Sequence, residues 1–176
     1  MKILGVMCSC RPGSVSGRYV KEMLRGAEQA GHETSLFKLN QNLHGCTGCH
    51  ACKNGAEGCV QKDVLKPYFD ALPDADVVIL GAGIYMGYPQ GEAWSFMNRH
   101  FCLHKTLRGE CRIPAGKQLI SVFAQGAPDN PGYRQNYEAL LLPFDGWGFV
   151  RKPSIVLSGG LTEEQLEEAF ALGQNL

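Results

Sequence analysis

The sequence lacks both an excess of charge of one sign and any long apolar run. Its 176 residues carry 17 Lys and Arg against 17 Asp and Glu, for a formal net charge of zero. A nucleic-acid-binding chain usually gathers a basic excess on one face, and a chain attracted to an anionic membrane carries a polybasic segment. No apolar stretch approaches the ~20 residues that span a bilayer. We therefore expect neither a nucleic acid nor a membrane as a partner.

Three well-known phosphate-binding motifs are also absent. The chain contains no Gly-x4-Gly-Lys-Ser/Thr string, and no Gly-x-Gly-x-x-Gly follows its first apolar run. A thiolate phosphatase loop needs Arg six positions after Cys, but Ser14 and Ser16 stand six positions after Cys8 and Cys10. These absences exclude a P-loop nucleotidase, a Rossmann dinucleotide site of the usual type and a phosphatase of this kind.

The N-terminal segment and the length favour one cytoplasmic domain. Residues 1–7 hold one charge and an apolar run too short for a secretory signal. The size suits a single domain over residues 1–176 with its own core. Eight cysteines in such a chain indicate thiols in a reducing compartment rather than a disulfide framework.

Apolar runs alternate with amphipathic segments along the whole chain. Strands are predicted at residues 3–7, 34–39, 77–80, 119–124 and 155–157, and helices at 19–30, 64–72, 93–103, 133–144 and from Thr162 onwards. Alternation of this kind predicts a doubly wound α/β fold, a parallel sheet covered by helices on both faces. Ligands of such folds bind at the carboxyl ends of the strands.

The loop after the first predicted strand has the composition of an anion site. Ser9, Arg11, Ser14, Val15 and Ser16 lie there, directly before a helix begins. Free amides and the dipole at a helix N-terminus attract phosphate, and hydroxyl groups add further donors. A single serine would be enough to cap the helix. The additional serines and the arginine therefore favour phosphate binding.

The loops after the third and fourth predicted strands are the other candidate ligand loops, because they also follow the carboxyl ends of strands. The first of them is rich in glycine. Ordinary turn chemistry is the alternative for each loop. The candidate residues of these two loops are Gly83, Ile84, Tyr85, Met86, Gly87, Gln125 and Gly126.

A cysteine-rich loop occupies about residues 40–62. Cys46, Cys49, Cys52 and Cys59 lie within fourteen residues, enough thiolates for a [4Fe–4S] cluster, although the spacing differs from the bacterial ferredoxin run. Zinc is an alternative, because sites of four thiolates are common and His44 and His50 lie nearby. Free thiols or disulfides without a metal are the third possibility.

These motifs resemble the flavodoxin-like NAD(P)H-dependent FMN reductases, especially their iron–sulfur flavoprotein branch. The family's Gly-Ser-Pro-Arg loop matches residues 8–11, with Cys8 in place of Gly and Cys10 in place of Pro. Its Pro-x-Tyr, Phe-Leu-Asp-Arg and Thr-Gln-Gly motifs match residues 83–85, 96–99 and 124–126, with Gly83, Asn98 and Ala124 as departures.

The resemblance implies a fold, a cofactor and an activity. The fold is a five-stranded parallel sheet in the order 2-1-3-4-5. FMN would bind with its phosphate at the first loop and its flat ring along the candidate residues of the other two loops. Glycines there allow backbone amides to approach the ring, and Tyr85 and Met86 offer surfaces to pack on it. A [4Fe–4S] cluster would bind through the four cysteines. Hydride would pass from NAD(P)H to the flavin, and electrons to a small acceptor or redox protein, without a catalytic acid–base residue. A homodimer or homotetramer is implied.

Two other functions stay open at this stage. One is an electron-carrier iron–sulfur flavoprotein fed by ferredoxin with little NAD(P)H turnover, and the other is a thiol or metal sensor that uses only the cysteine loop. His100 and His104, four residues apart, are expected to be surface or interface histidines. Cys102 and Cys111 are expected to be buried thiols.

Overall fold

The computed structural model describes residues 1–9, 11–39, 42–106 and 109–176. Apolar segments that cannot be left in water form a largely parallel sheet at its centre. The strands are β1 (Lys2–Met7), β2 (Glu33–Lys38), β3 (Val77–Tyr85), β4 (Tyr88–Pro89), β5 (Gln118–Gln125), β6 (Val150–Arg151) and β7 (Ile155–Ser158).

The main path of the sheet runs β2-β1-β3-β5, and β6 and β7 share the position beyond β5. β6 pairs with the first two residues of β5, and β7 pairs in parallel with Val122 to Gln125. Pro153 lies between the two short strands and has no N–H to donate to a ladder, so the outer strand is interrupted there. The predicted order 2-1-3-4-5 is confirmed, with the fifth strand in two pieces.

Helices cover both faces of this sheet. They are α1 (Val15–Gln29), α2 (Lys66–Ala71), α3 (Gly91–Arg99), α4 (Pro131–Leu141), α5 (Pro143–Gly146) and α6 (Glu163–Gln174), with 3₁₀ turns at Ala51–Lys53, Leu72–Asp74 and His100–Leu103. Alternate residues of β3 enter opposite cores: Val78 and Leu80 on one face, Val77 and Ile79 on the other. None of the helices in the described ranges has the length and apolar character needed to cross a bilayer.

Two predicted segments differ from the structure. Residues 81–85 form the end of β3 rather than a loop, and the turn lies at Met86 and Gly87, whose φ angles are 53° and 82°. Positive φ at both positions suits the tight hairpin that joins β3 to β4. The helix predicted over residues 133–144 breaks at Pro143, because proline fits the first turn of a helix and not its interior.

Helices α1 and α6 touch backbone to backbone at two glycines. A Cβ on Gly26 would lie 2.0 Å from the carbonyl oxygen of Phe170, and one on Gly173 would lie 1.9 Å from that of Met23. Side chains at these positions would force the helices apart. The close contact therefore requires glycine at both positions.

We expect Gly26→Ala to lower the free energy of unfolding by about 2 kcal/mol, because overpacking outweighs the ~1 kcal/mol that alanine gains in a helix. Urea denaturation measures this change. The matched control is Gly160→Ala, where an added Cβ has no heavy atom within 4 Å. Equal stability of the two variants would contradict the steric account.

Candidate functional site

A cavity of about 340 Å³ opens at the carboxyl ends of β1, β3 and β5. The loops that follow these parallel strands meet at the same edge of the sheet, where α/β folds bind ligands. The volume lies in the usual range for a small-molecule site. Its lining residues are Ser9, Arg11, Ser14, Val15, Ser16, Gly83, Ile84, Tyr85, Ala124, Gln125, Gly126 and Gly159.

The structure brings together ten of the twelve residues that the sequence suggests for flavin binding. Met86 and Gly87 are the two that do not line the cavity. Met86 stands at the tip of the β3–β4 hairpin and is 94% exposed. Ala124 and Gly159 line the cavity in addition. Gly159 follows β7, a segment that carries no recognisable ligand motif.

One serine hydroxyl at the start of α1 has no hydrogen-bond partner among the described residues. The Ser14 Oγ accepts a hydrogen bond from the N–H of Gly17 and caps α1. The Ser9 Oγ accepts one from the N–H of Arg11. The Ser16 Oγ is buried and has no hydrogen-bond partner in the described structure. A buried hydroxyl is costly without a partner, so this cradle fits an anionic group that would accept from it.

Cys8, which replaces the family's glycine, does not obstruct the cavity. Its side chain is fully buried in the core, and its N–H donates to the carbonyl oxygen of Gly81 at 2.9 Å. Burial, and secondarily the charge of Glu92, raises the pKa of the Cys8 thiol far above its ordinary value. The thiol is therefore neutral and unreactive. Cys10 lies outside the described residues.

Gln90 joins the first loop to the end of β3, a role that the sequence analysis did not predict. Its Oε1 accepts the N–H of Gly83 at 3.0 Å, and its Nε2 donates to the carbonyl oxygen of Cys8. A Cβ on Gly83 would lie 2.9 Å from the Gln90 Oε1. Glycine at position 83 thus allows the bridge. A buried glutamine before a helix carries no signal that could have predicted it.

The side chain of Gln125 shapes the third loop. Its Nε2 donates to the carbonyl oxygens of Ala127 and Pro128, at 3.2 and 2.9 Å, and its Oε1 accepts from the Tyr137 hydroxyl. Tyr137 stacks on Phe123, and burial raises the pKa of Tyr137, so its hydroxyl stays a donor. The amide is thereby engaged within the protein. Tyr137 was predicted only as part of a helix face.

The four predicted metal-binding cysteines line a second, smaller cavity. Cys46 and Cys49 are exposed, Cys59 is half-buried, and Cys52 is buried on the 3₁₀ turn Ala51–Lys53. The enclosed volume is about 20 Å³, room for about one water molecule. Within the described ranges, no three or more His, Cys, Asp or Glu side chains are grouped to hold a metal ion. Cys102 also lines this cavity.

Two cations fix the main chain of the cysteine loop. Lys53 donates to the carbonyl oxygens of Phe101 and His104. Arg112 donates to the carbonyl oxygens of Cys52 and Ala56, at 2.9 and 3.0 Å. The loop is therefore attached to the segment after α3 by its own Lys53 side chain, and to Arg112 by its backbone carbonyl oxygens.

A buried ion pair forms one wall of the cysteine cavity. The Arg99 and Asp63 side chains are 1% and 3% exposed, and an Nη2–Oδ1 distance of 3.2 Å joins them. Arg99 also donates to the carbonyl oxygen of His44 at 2.8 Å. Burial tends to raise the pKa of Asp63, but hydrogen bonds from Arg99 and from the backbone N–H of Leu65 hold it below its ordinary value. The Arg99 Nε has no hydrogen-bond partner among the described residues.

The expectation of surface or interface histidines was wrong for His100. It is fully buried, with Nδ1 at 2.8 Å from the carbonyl oxygen of Phe96 and Nε2 at 2.9 Å from the Tyr68 hydroxyl. Burial lowers the pKa of His100 to about 4. The ring is therefore a neutral member of an aromatic core. Cys102 is buried as predicted, whereas Cys111 is only half-buried.

A parallel sheet in this order, with a serine-containing first loop before a helix and a cavity at the strand ends, defines the flavodoxin-like class. The family model of the NADPH-dependent FMN reductases matches residues 1–127, and the chain belongs to this family. The predicted family is thereby confirmed.

The curated relatives are named iron–sulfur flavoproteins, which supports the predicted branch. One from Methanocaldococcus jannaschii is 30% identical over 100 residues, covering 56% of this chain and 51% of the relative. Another from Methanosarcina thermophila is 33% identical over 91 residues, covering 51% and 47%. The chain thus spans about half the length of the curated relatives it matches.

Solved structures agree on the fold. An NAD(P)H:quinone oxidoreductase from Methanothermobacter marburgensis superposes with a TM-score of 0.76 at 13% identity, covering 99% of this chain and 96% of that one. A flavodoxin from the domain Archaea superposes with a TM-score of 0.64 at 13% identity, covering 99% and 95%. At such identities the likeness shows the fold alone.

Proposed function

We propose that this protein is an FMN-dependent oxidoreductase that takes hydride from NAD(P)H and passes electrons to a small acceptor or a redox protein. The observation that carries the proposal is the cavity at the ends of β1, β3 and β5, with the unpartnered Ser16 Oγ at the start of α1. Membership of the FMN reductase family supports the choice of FMN.

The first loop would hold the phosphate of FMN. The exposed Arg11 supplies a positive charge, and the Ser16 Oγ and the first amides of α1 supply donors. Ser9 and Ser14 each accept one internal hydrogen bond, and a hydroxyl that accepts can also donate its own proton to a phosphate. Neutralisation of the phosphate is therefore local and needs no basic surface.

The end of β3 and the loop after β5 would hold the isoalloxazine ring. Gly83, Ile84 and Tyr85 line one side of the cavity, and Gln125 and Gly126 line another. Gln90 and Tyr137 hold Gly83 and Gln125 by hydrogen bonds, so the segments that would flank the ring are fixed in place. FMN supplies the hydride and electron chemistry when bound, while the protein orients the ring and excludes side reactions. We assign no acid–base residue.

The four cysteines would hold a [4Fe–4S] cluster. Their chemistry fits, since four thiols of one loop face one cavity, and the names of the relatives support it. The cavity that the cysteines line has room for about one water, and Cys46 and Cys49 lie on its exposed side. Zinc is the competing metal for the same thiolates.

The test is the visible spectrum of anaerobically purified protein, followed by rapid mixing with NADPH and NADH. We expect bound flavin that bleaches on mixing. Fast reduction of the flavin by ferredoxin, without bleaching by either nicotinamide, would indicate that the protein is an electron carrier and not an NAD(P)H-dependent enzyme. A colourless protein that takes up no FMN would contradict both, and would favour a sensor that uses only the cysteine loop.

Three further expectations from the sequence stay predictions. They are the single domain over residues 1–176, the homodimeric or homotetrameric assembly and the cytoplasmic location. Analytical ultracentrifugation of the flavin-loaded protein would measure the assembly.

A further inference from the structure

The Arg99 side chain is buried and held in place by hydrogen bonds, yet one of its nitrogens has no acceptor among the described residues. Its side chain is 1% exposed, and both of its terminal nitrogens are occupied by Asp63, with His44 supplying a carbonyl acceptor to one of them. The Nε is the nitrogen of this side chain that has no partner within the described part of the chain. Buried arginine N–H groups are rarely left unsatisfied, because each one costs free energy.

The surroundings of Arg99 indicate what the missing acceptor is. Arg99 lines the same cavity as the four cysteines, and Cys59 is among the groups that raise the pKa of Arg99. A neutral thiol is a weak acceptor, whereas a thiolate or a metal-bound sulfur carries negative charge and accepts well from a cation. The donor therefore gains its partner when the cysteines lose their protons to a metal.

We propose that the Arg99 Nε–H donates a hydrogen bond to a sulfur of the metal group that Cys46, Cys49, Cys52 and Cys59 hold, and thereby raises the reduction potential of that group. This inference rests on the proposed function. Reduction adds negative charge, which a hydrogen-bonded guanidinium stabilises more than it stabilises the oxidised form. Hydrogen bonds to the sulfurs and net charge are two main determinants of such potentials.

The primary variant is Arg99→Lys in anaerobically reconstituted protein. Lysine keeps the positive charge but cannot present a planar fork to Asp63 and an Nε–H to a sulfur at once. We expect the oxidised-to-reduced ratio at a fixed potential to rise about tenfold, a lowering of 59 mV for a one-electron couple. A redox titration followed by electron paramagnetic resonance measures this potential.

The matched control is Arg112→Lys. Arg112 belongs to the same region, but its hydrogen bonds go to the carbonyl oxygens of Cys52, Ala56 and Cys102. We therefore expect the oxidised-to-reduced ratio of Arg112→Lys, at the same fixed potential, to stay within about twofold of the wild-type ratio. Equal shifts in Arg99→Lys and Arg112→Lys would overturn the proposal.

A second variant separates electrostatic tuning from a structural role. Asp63→Asn removes the negative charge that compensates Arg99, so the potential should rise. Loss of structure alone would not move the potential in opposite directions in Asp63→Asn and Arg99→Lys. A fall of the potential in Asp63→Asn, or no change, would count against the proposal.

If Arg99→Lys fails to fold, as judged by the loss of bound flavin, Arg99→Met combined with Asp63→Leu replaces it. That pair leaves no uncompensated buried charge, and the proposal again expects a lowered potential. An unchanged potential in this variant overturns it.

Iron and sulfide analysis of the wild type distinguishes this inference from the function it rests on. Wild type that binds FMN but takes up no iron overturns the Arg99 proposal and the metal assignment, and leaves the flavin assignment standing. Wild type that binds both, with potentials insensitive to Arg99, overturns the Arg99 proposal alone.

Discussion

Replacing Arg11 and Ser16 together with alanine is expected to weaken FMN binding at least about 100-fold. Each side chain would give a phosphate a charge-assisted hydrogen bond, which contributes roughly 1.5–3 kcal/mol. Every 1.4 kcal/mol is a factor of about ten in the dissociation constant. Ser16 is the stronger structural argument of the two, because its buried Oγ has no partner among the described residues. Flavin fluorescence quenching during titration measures the constant.

Riboflavin and a matched arginine variant test whether the effect belongs to the phosphate. Riboflavin has no phosphate, so its affinity should be nearly equal for the wild type and the double variant. Arg18 is an exposed arginine of α1 that does not line the cavity, and Arg18→Ala should leave FMN affinity within about twofold. Similar losses for FMN and riboflavin would show that the substitutions damaged the ring site or the fold instead.

The second large effect is expected from Asp63→Ala, which removes one partner of the buried ion pair. The positive charge of Arg99 would then lack its partner in a site where the side chain is 1% exposed. Breaking a buried pair in this way costs about 3–5 kcal/mol of stability. For a chain of this size each kcal/mol corresponds to about 2–4 °C, so thermal denaturation should show a fall of roughly 10 °C in Tm.

Asp70→Ala is the matched control for this prediction. Asp70 forms an ion pair with Lys66 in which the two side chains are 60% and 52% exposed. Such pairs contribute about 0–1 kcal/mol. A fall in Tm of the same size in both variants would mean that Asp63 contributes no more than an exposed carboxylate. In that case Arg99 would not depend on Asp63 for compensation.

Much of the site could be predicted because it follows from local composition and one topological rule. Buried parallel strands are continuous apolar runs, as in Val77 to Leu80, and their carboxyl ends meet at one edge. Ser16 and Gln125 are 109 residues apart in the sequence, yet both line one cavity for this reason. The strand order 2-1-3-4-5 was predicted from the family resemblance, since periodicity alone does not rank strands.

The contacts that fix the site could not be predicted, because they join side chains that no spacing relates. Gln90 reaches Cys8 across 82 positions, and Arg99 reaches Asp63 across 36. His100 was misjudged for a similar reason. His100 and His104, four residues apart, were predicted to be surface or interface residues, but aromatic rings of α3 and α5 enclose His100. The glycines of β3 led to the opposite error, because a loop was predicted where they permit close packing within a strand.

The attachment of the cysteine loop by Lys53 and Arg112 has a consequence for protein engineering. Lys53 is a loop residue but not a cysteine, and Arg112 holds carbonyl oxygens of the loop, so these anchoring contacts use none of the four thiols. Cysteines of this loop can thus be exchanged for serines one at a time with the main chain still anchored. Such exchanges would change what the proposed site can bind while these anchoring contacts stay in place.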